Sequence, residues 1–209
     1  MSTHIDSEIS DRIRTLRREL VAVSKDIYER KLSSGICGNL SARVPDCKNL
    51  MLIKASGKSF KDMAEHDFLL ADMEQNLYEG EGKPSIEIKF HAGIYKARPE
   101  VNAVIHGHAS YTTAVGTIMK SLKVITVDAE VGLKQIGIVD YAEAGSAELA
   151  EGVINVFKME EINAALLRRH GFITVGKDMR QAYYLADTLE EYAKTAYLME
   201  MLSPGYTSK

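Results

Sequence analysis

Cysteine is scarce in this chain of 209 residues. Only Cys37 and Cys47 occur, and two thiols cannot build the disulfide framework on which small secreted domains depend. A reducing compartment, the cytoplasm, is therefore expected. Long apolar runs are also missing: none approaches the roughly 20 residues of a membrane span. Residues 1–6 lack the charged-then-apolar layout of an export signal. Nor is there a basic excess, since 26 Lys and Arg stand against 29 Asp and Glu for a net charge of -3. That balance gives no hold on nucleic acid or an anionic membrane and leaves a small molecule as the expected partner. Internal repeats, linkers and low-complexity stretches are absent too. With 45% hydrophobic content, residues 1–209 read as a single domain with one substantial core.

What is present is regular patterning. Ile9, Ile13, Leu16, Leu20, Val23 and Ile27 recur every three or four residues, which predicts a helix over 7–32 with one buried stripe, stopped by Gly35. Runs at 40–44 and 50–53, joined by a Pro- and Asx-containing turn, predict a β-hairpin. A further strand is expected at 68–73, and a helix from Ser85 to about Arg98. Strands follow at 103–108, 124–127, 137–141, 164–167 and 172–175. They are interleaved with helices at 110–119 and 146–157 and a last helix at 179–202. This interleaving predicts an α/β layered domain with helices covering a sheet.

The chemistry concentrates in a few segments. His106 and His108 are two apart on a predicted strand, so both side chains face one point. A catalytic zinc site uses three protein ligands and an open position. His170, at a turn between two apolar runs, is the candidate third ligand, although a chance His-x-His pair and an ordinary loop histidine fit the same pattern. Glu87 falls in the first turn of a predicted helix, where it is either a dipole-favoured carboxylate or an acid/base beside the metal. His91, one turn on and beside Phe90, reads as a packing residue. Residues 35–43 and 55–59 combine glycines with hydroxyl and amide donors suited to an anion or simply to turns, with Lys58 as a counter-charge for the second.

Taken in order, Gly38-Asn39-Leu40-Ser41-Ala42-Arg43, Ser56-Gly57, Ser85-Ile86-Glu87, His106-Gly107-His108 and His170-Gly171 resemble the signature of the class II aldolase/adducin family. Within it they are most similar to the fuculose-phosphate aldolases, and the resemblance covers nearly the whole chain. It implies a central, mainly antiparallel β-sheet covered by helices. It also implies a divalent ion, Zn2+ or another such as Mn2+, on His106, His108 and His170, with Glu87 as catalytic carboxylate and additional ligand. Gly38, Asn39, Ser56, Gly57 and Ser85 would form a phosphate pocket. The implied reaction is reversible aldol cleavage of a ketose 1-phosphate, such as L-fuculose 1-phosphate, to dihydroxyacetone phosphate and an aldehyde through a metal-stabilised enediolate. Tyr206 from a neighbouring subunit would serve the aldehyde-side oxygen in a homotetramer with active sites at subunit boundaries. Sugar-phosphate 4-epimerisation, keto-acid-phosphate decarboxylation and methylthioribulose-phosphate dehydration are the family's alternative reactions. A non-catalytic adducin-like module is the alternative of another class. Three departures bear on substrate: Ile86 stands where the fuculose-phosphate enzymes carry a second serine, Val127, next to Asp128, stands where they carry a tyrosine, and their C-terminal tyrosine is matched only loosely, by Tyr206.

Overall fold

The computed structural model describes residues 7–207; the expectation about an export signal at residues 1–6 lies outside them. Helix α1 (Ser7–Glu29) buries Ile13, Leu16, Leu20, Val23 and Ile27 along one stripe, as its periodicity predicts. It ends earlier than expected. Lys31 takes the left-handed conformation at φ 58°, its N–H donates to the Tyr28 carbonyl, and the N–H of Leu32 reaches back to Ile27. This paired closure satisfies the last carbonyls without Gly35.

Eight strands form one sheet: β1 (Asn39–Arg43), β2 (Leu50–Lys54), β3 (Phe68–Asp72), β4 (Leu77–Glu79), β5 (Ala103–Gly107), β6 (Gln135–Val139), β7 (Ile162–Leu167) and β8 (Gly171–Gly176). Their spatial order is β4-β3-β2-β1-β5-β8-β7-β6, antiparallel throughout except for the parallel pair β6/β7. The sheet is therefore mainly antiparallel, as the family resemblance implies. Alternation along the strands divides the core between the two faces. Ala103, Ile105, Leu166 and Phe172 pack with α1, with α3 (Ser110–Ile118) and with α6 (Met179–Leu202). Val104, Ala165, Leu167 and Ile173 pack on the other face with α2 (Ile88–Ala97) and α5 (Ala147–Phe157).

The strand expected at 124–127 does not form. Leu122 is buried and Val124 and Ile125 are partly buried, packed on the α1, α3 and α6 side of the core, with no strand beside them. Their backbone is held by other means: Tyr192 donates its hydroxyl proton to the Lys123 carbonyl, and the Lys123 N–H donates to Thr207. Val127 instead opens a short helix, α4 (Val127–Gly132). A second shift matters more for function. The helix expected from Ser85 starts at Ile88, because residues 83–85 run extended alongside the end of β2. The Ser56 N–H donates to Lys83, the Ser85 N–H donates to Lys54, and Ala55 bridges Pro84.

Candidate active site

Strand β5 sets the centre of the site. Its even-numbered residues face the α2/α5 side, so Val104 goes into the core while His106, and His108 just beyond the strand, turn toward one point at its end. His170 arrives in the tight turn from β7 to β8. Gly171 passes so close to β5 that a Cβ there would lie 2.1 Å from the Gly107 carbonyl oxygen. The nearest ring nitrogens of His106 and His108 are 2.9 Å apart, and one ligand atom from each of the three histidines lies within 4.8 Å of the others. Among the described residues no other group of His, Cys, Asp or Glu converges in this way.

Electrostatics agrees with geometry. The Nδ1–H of His106 donates to the Phe172 carbonyl at 2.8 Å, which leaves Nε2 as a lone pair facing the cluster. Burial, reinforced by the neighbouring imidazoles, pushes the pKa values of His106 and His108 down to about 3, so both rings stay neutral. Glu87 is the N-cap of α2, one position outside the first turn where it was expected, and it is 4% exposed. Its Oε2 lies 3.3 Å from His106 Nε2, and its Oε1 lies 3.6 Å from His170 Nε2. Oε1 is buried and has no hydrogen-bond partner. A buried carboxylate oxygen without a hydrogen-bond partner, close to the lone pair of the neutral His106 ring, is costly by itself, and a divalent cation held by the three histidines would offset that cost. The residues fit a metal ion of the zinc type.

His108, His170 and Glu87 also form one wall of a cavity of about 200 Å³. The same cavity is lined by Gly38, Asn39, Ser56, Gly57 and Ser85, so the structure gathers the entire predicted anion pocket beside the predicted metal site. The extended segment 83–85 is what carries Ser85 to Ser56 and Gly57. On the far side of His108 and His170 an open groove runs between Ser110, Thr113, Thr117 and Arg169.

A model of the class II aldolase and adducin N-terminal domain matches residues 18–197. The chain belongs to the class II aldolase/adducin family. It is 36% identical over 184 residues to an L-fuculose phosphate aldolase of Methanococcus maripaludis, covering 88% of this chain and 97% of that one. A 3-oxo-tetronate 4-phosphate decarboxylase of Haemophilus influenzae is 31% identical over 186 residues, covering 87% and 86% of the two chains. Among solved structures, an L-fuculose 1-phosphate aldolase superposes with a TM-score of 0.86 at 28% identity, covering 98% of this chain and 92% of its own.

Within this aldolase-family site the counter-charge differs from expectation. Lys58 is paired with Asp67, its Nζ 2.9 Å from Oδ1. Lys54, at the end of β2, lines the cavity instead. It is 2% exposed, its ammonium lies 5.3 Å from the centre of the Phe60 ring, and burial lowers its pKa to about 8. The sequence signal was present: Lys54 continues the Leu50, Leu52 alternation, a charge at an inward register position. His91 is fully buried, as a packing residue would be, but its ring nitrogens are bonded to Asn39 and Ser41. Tyr206 stands apart in the C-terminal turn, 59% exposed and beside Lys123 and Ile125. Val127 and Asp128 lie on α4, away from the histidines, and Val127 is 74% exposed. Cys37 and Cys47 are both free thiols. Among the described residues no helix is long and apolar enough to cross a membrane.

Proposed function

We propose that this protein is a metal-dependent aldehyde-lyase that reversibly cleaves a ketose 1-phosphate, such as L-fuculose 1-phosphate, to dihydroxyacetone phosphate and an aldehyde. The observation that carries this reading is the shared cavity. Phosphate-type donors line it together with His108, His170 and Glu87. A phosphate held by Ser56, Gly57 and Ser85, with the Lys54 ammonium beside it, places the carbons next to it against the histidines.

A divalent ion on His106, His108 and His170, zinc or manganese, supplies Lewis-acid stabilisation of negative charge building on substrate oxygen. The chain's own residues do the rest. Glu87 Oε1, free of protein hydrogen bonds, delivers a proton to the carbon that loses its carbon–carbon bond and removes it in the reverse direction. The groove beyond His108 and His170 holds the part that leaves as the aldehyde. Tyr206 of a neighbouring subunit takes the proton of the aldehyde-side hydroxyl, in a homotetramer whose sites lie at subunit boundaries. The exposed apolar residues Ile118, Val131 and Leu202 support such an assembly. The two free thiols support a cytoplasmic location.

Decarboxylation of a keto-acid phosphate is the second reading. It is favoured by Arg169, an exposed cation lining the open groove and packed over Tyr141 at 4.3 Å, where a substrate carboxylate would lie. Metal analysis of the purified protein, with a coupled assay for dihydroxyacetone phosphate across a panel of ketose 1-phosphates, tests the first reading. Glu87→Ala and His106→Ala are the controls. Metal-dependent release establishes the aldolase. Bound metal without release, but with carbon dioxide from a keto-acid phosphate, moves the assignment to the second reading. No bound metal under replete conditions removes both.

A further inference from the structure

A line of buried side chains runs from the interior of the fold to Glu87, and every member is bonded to the next. Asn39 Nδ2 donates to Glu87 Oε2 at 2.7 Å. The other end of the same amide, Oδ1, lies 2.5 Å from His91 Nε2. His91 Nδ1 is 2.7 Å from Ser41 Oγ, and Ser41 Oγ is 2.8 Å from the Tyr95 hydroxyl. All five residues are buried.

Donor and acceptor chemistry allows one direction only. A carboxylate accepts, so Asn39 must turn its NH2 toward Glu87, and its Oδ1 then faces His91 and can only accept. The imidazole, kept neutral by burial well below its ordinary pKa, must therefore carry its single proton on Nε2. Nδ1 is then a lone pair, Ser41 donates to it, and Tyr95 donates to Ser41. If the ring held its proton on Nδ1, two acceptors would face each other at His91 Nε2 and Asn39 Oδ1, a buried clash.

We propose that His91 is a positioning residue for Glu87: through Asn39 its Nε2–H tethers Oε2 and reserves Oε1 as the oxygen that moves the proton. This rests on the acid/base role given to Glu87 above. It also commits Oδ1 and one N–H of Asn39 to protein partners, so that the second N–H is the one side-chain donor Asn39 has left for a phosphate beside Ser56, Ser85 and Lys54.

Two variants and one measurement without turnover test it. His91→Phe keeps the ring stacked on Phe90 and removes both nitrogens; His91→Gln retains an amide donor toward Asn39. His91→Phe is expected to lower kcat by about 100-fold, the size of effect a misplaced catalytic group produces, with metal content and KM near wild type. His91→Gln is expected to recover most of that loss. A merely structural role would lower stability in both variants and leave kcat of the folded fraction unchanged. Nitrogen-15 NMR of the histidine rings in the wild-type protein is expected to show His91 as the Nε2–H tautomer. Exchange of the Asn39 side-chain amide protons is expected to be slow in wild type and His91→Gln and fast in His91→Phe. An Nδ1–H tautomer, or wild-type kcat in His91→Phe, overturns the proposal. If the wild type cleaves no ketose 1-phosphate, the proposed reaction fails by itself, and the tautomer and amide exchange still decide the role of His91.

Discussion

The Nδ1–H of His106 donates to the carbonyl of Phe172 on the neighbouring strand at 2.8 Å, and this bond determines which ring nitrogen looks toward His108, His170 and Glu87. The sheet thus selects the tautomer that could bind a metal ion. Replacing His106 with Ala is expected to reduce metal affinity by more than about 100-fold, since a ligand is lost and not only a supporting bond. Metal titration of the chelator-treated protein measures this. Wild-type affinity in the variant would mean that the ion sits elsewhere.

The proposed phosphate recognition is expected to depend on the pH through Lys54 in a defined window. Burial lowers its pKa to about 8 in the folded chain, against 10.5 for an unburied lysine. Between these values the unfolded chain holds more protons than the folded one, so this group makes stability rise as pH climbs from about 8 to 10.5. The same loss of charge is expected to weaken phosphate binding at the proposed pocket. Inorganic phosphate, used as a competitive inhibitor, is expected to lose potency above about pH 8. Lys54→Met is expected to raise KM about tenfold or more, the worth of one charge-assisted contact, and to abolish both trends. An inhibition profile identical in wild type and variant would place the phosphate away from Lys54.

The neutral histidines act in the acid range with the matching sign. His106 and His108 have pKa values of about 3 in the fold and 6.5 when unburied, and burial lowers His91 as well. As pH falls through that interval the unfolded chain takes up protons that the folded chain refuses, so stability drops. Thermal melts of the chelator-treated protein are expected to fall steeply from about pH 6.5 downward, and His108→Ala is expected to flatten the slope. Parallel curves would show that His108 is not held neutral.

Two glycines of the pocket separate backbone strain from lack of room. Gly38 has φ +75°, and a Cβ there would meet Ser33 Oγ at 2.6 Å and the His106 carbonyl at 2.8 Å. Gly57 has φ +76° with nothing within 4 Å. Gly38→Ala is expected to cost about 2–4 kcal/mol from conformation and crowding together, and Gly57→Ala about 1 kcal/mol from conformation alone. Denaturant melts measure the difference; equal costs would mean that Ser33 and β5 yield freely.

The parts of the site that repeat with strand or helix period were open to reading. His106 and His108 announce themselves by their spacing of two on an apolar strand, and the α1 stripe by its threes and fours. Segment 124–127 misleads because a short apolar run satisfies a core equally well without a neighbouring strand. Lys54 and Lys58 flank the same Ser-Gly turn, and only the position of Asp67 shows that Lys58 is taken. The His91 relay could not be read from sequence at all, since Ser41, Asn39 and Tyr95 reach that ring only through tertiary contact.

His108 and His170 stand between two hollows, one built from the ends of β1 and β2 with segment 83–85, the other from α3 and the β7–β8 turn. Among the described residues, no other residue borders both. On the proposed function, mutations in Ser110, Thr117 or Arg169 would change which molecule is accepted without disturbing the phosphate pocket, and changes at Ile86 would do the reverse. A lineage built on this plan could exchange one half of its substrate at a time while the three histidines and Glu87 stay in place.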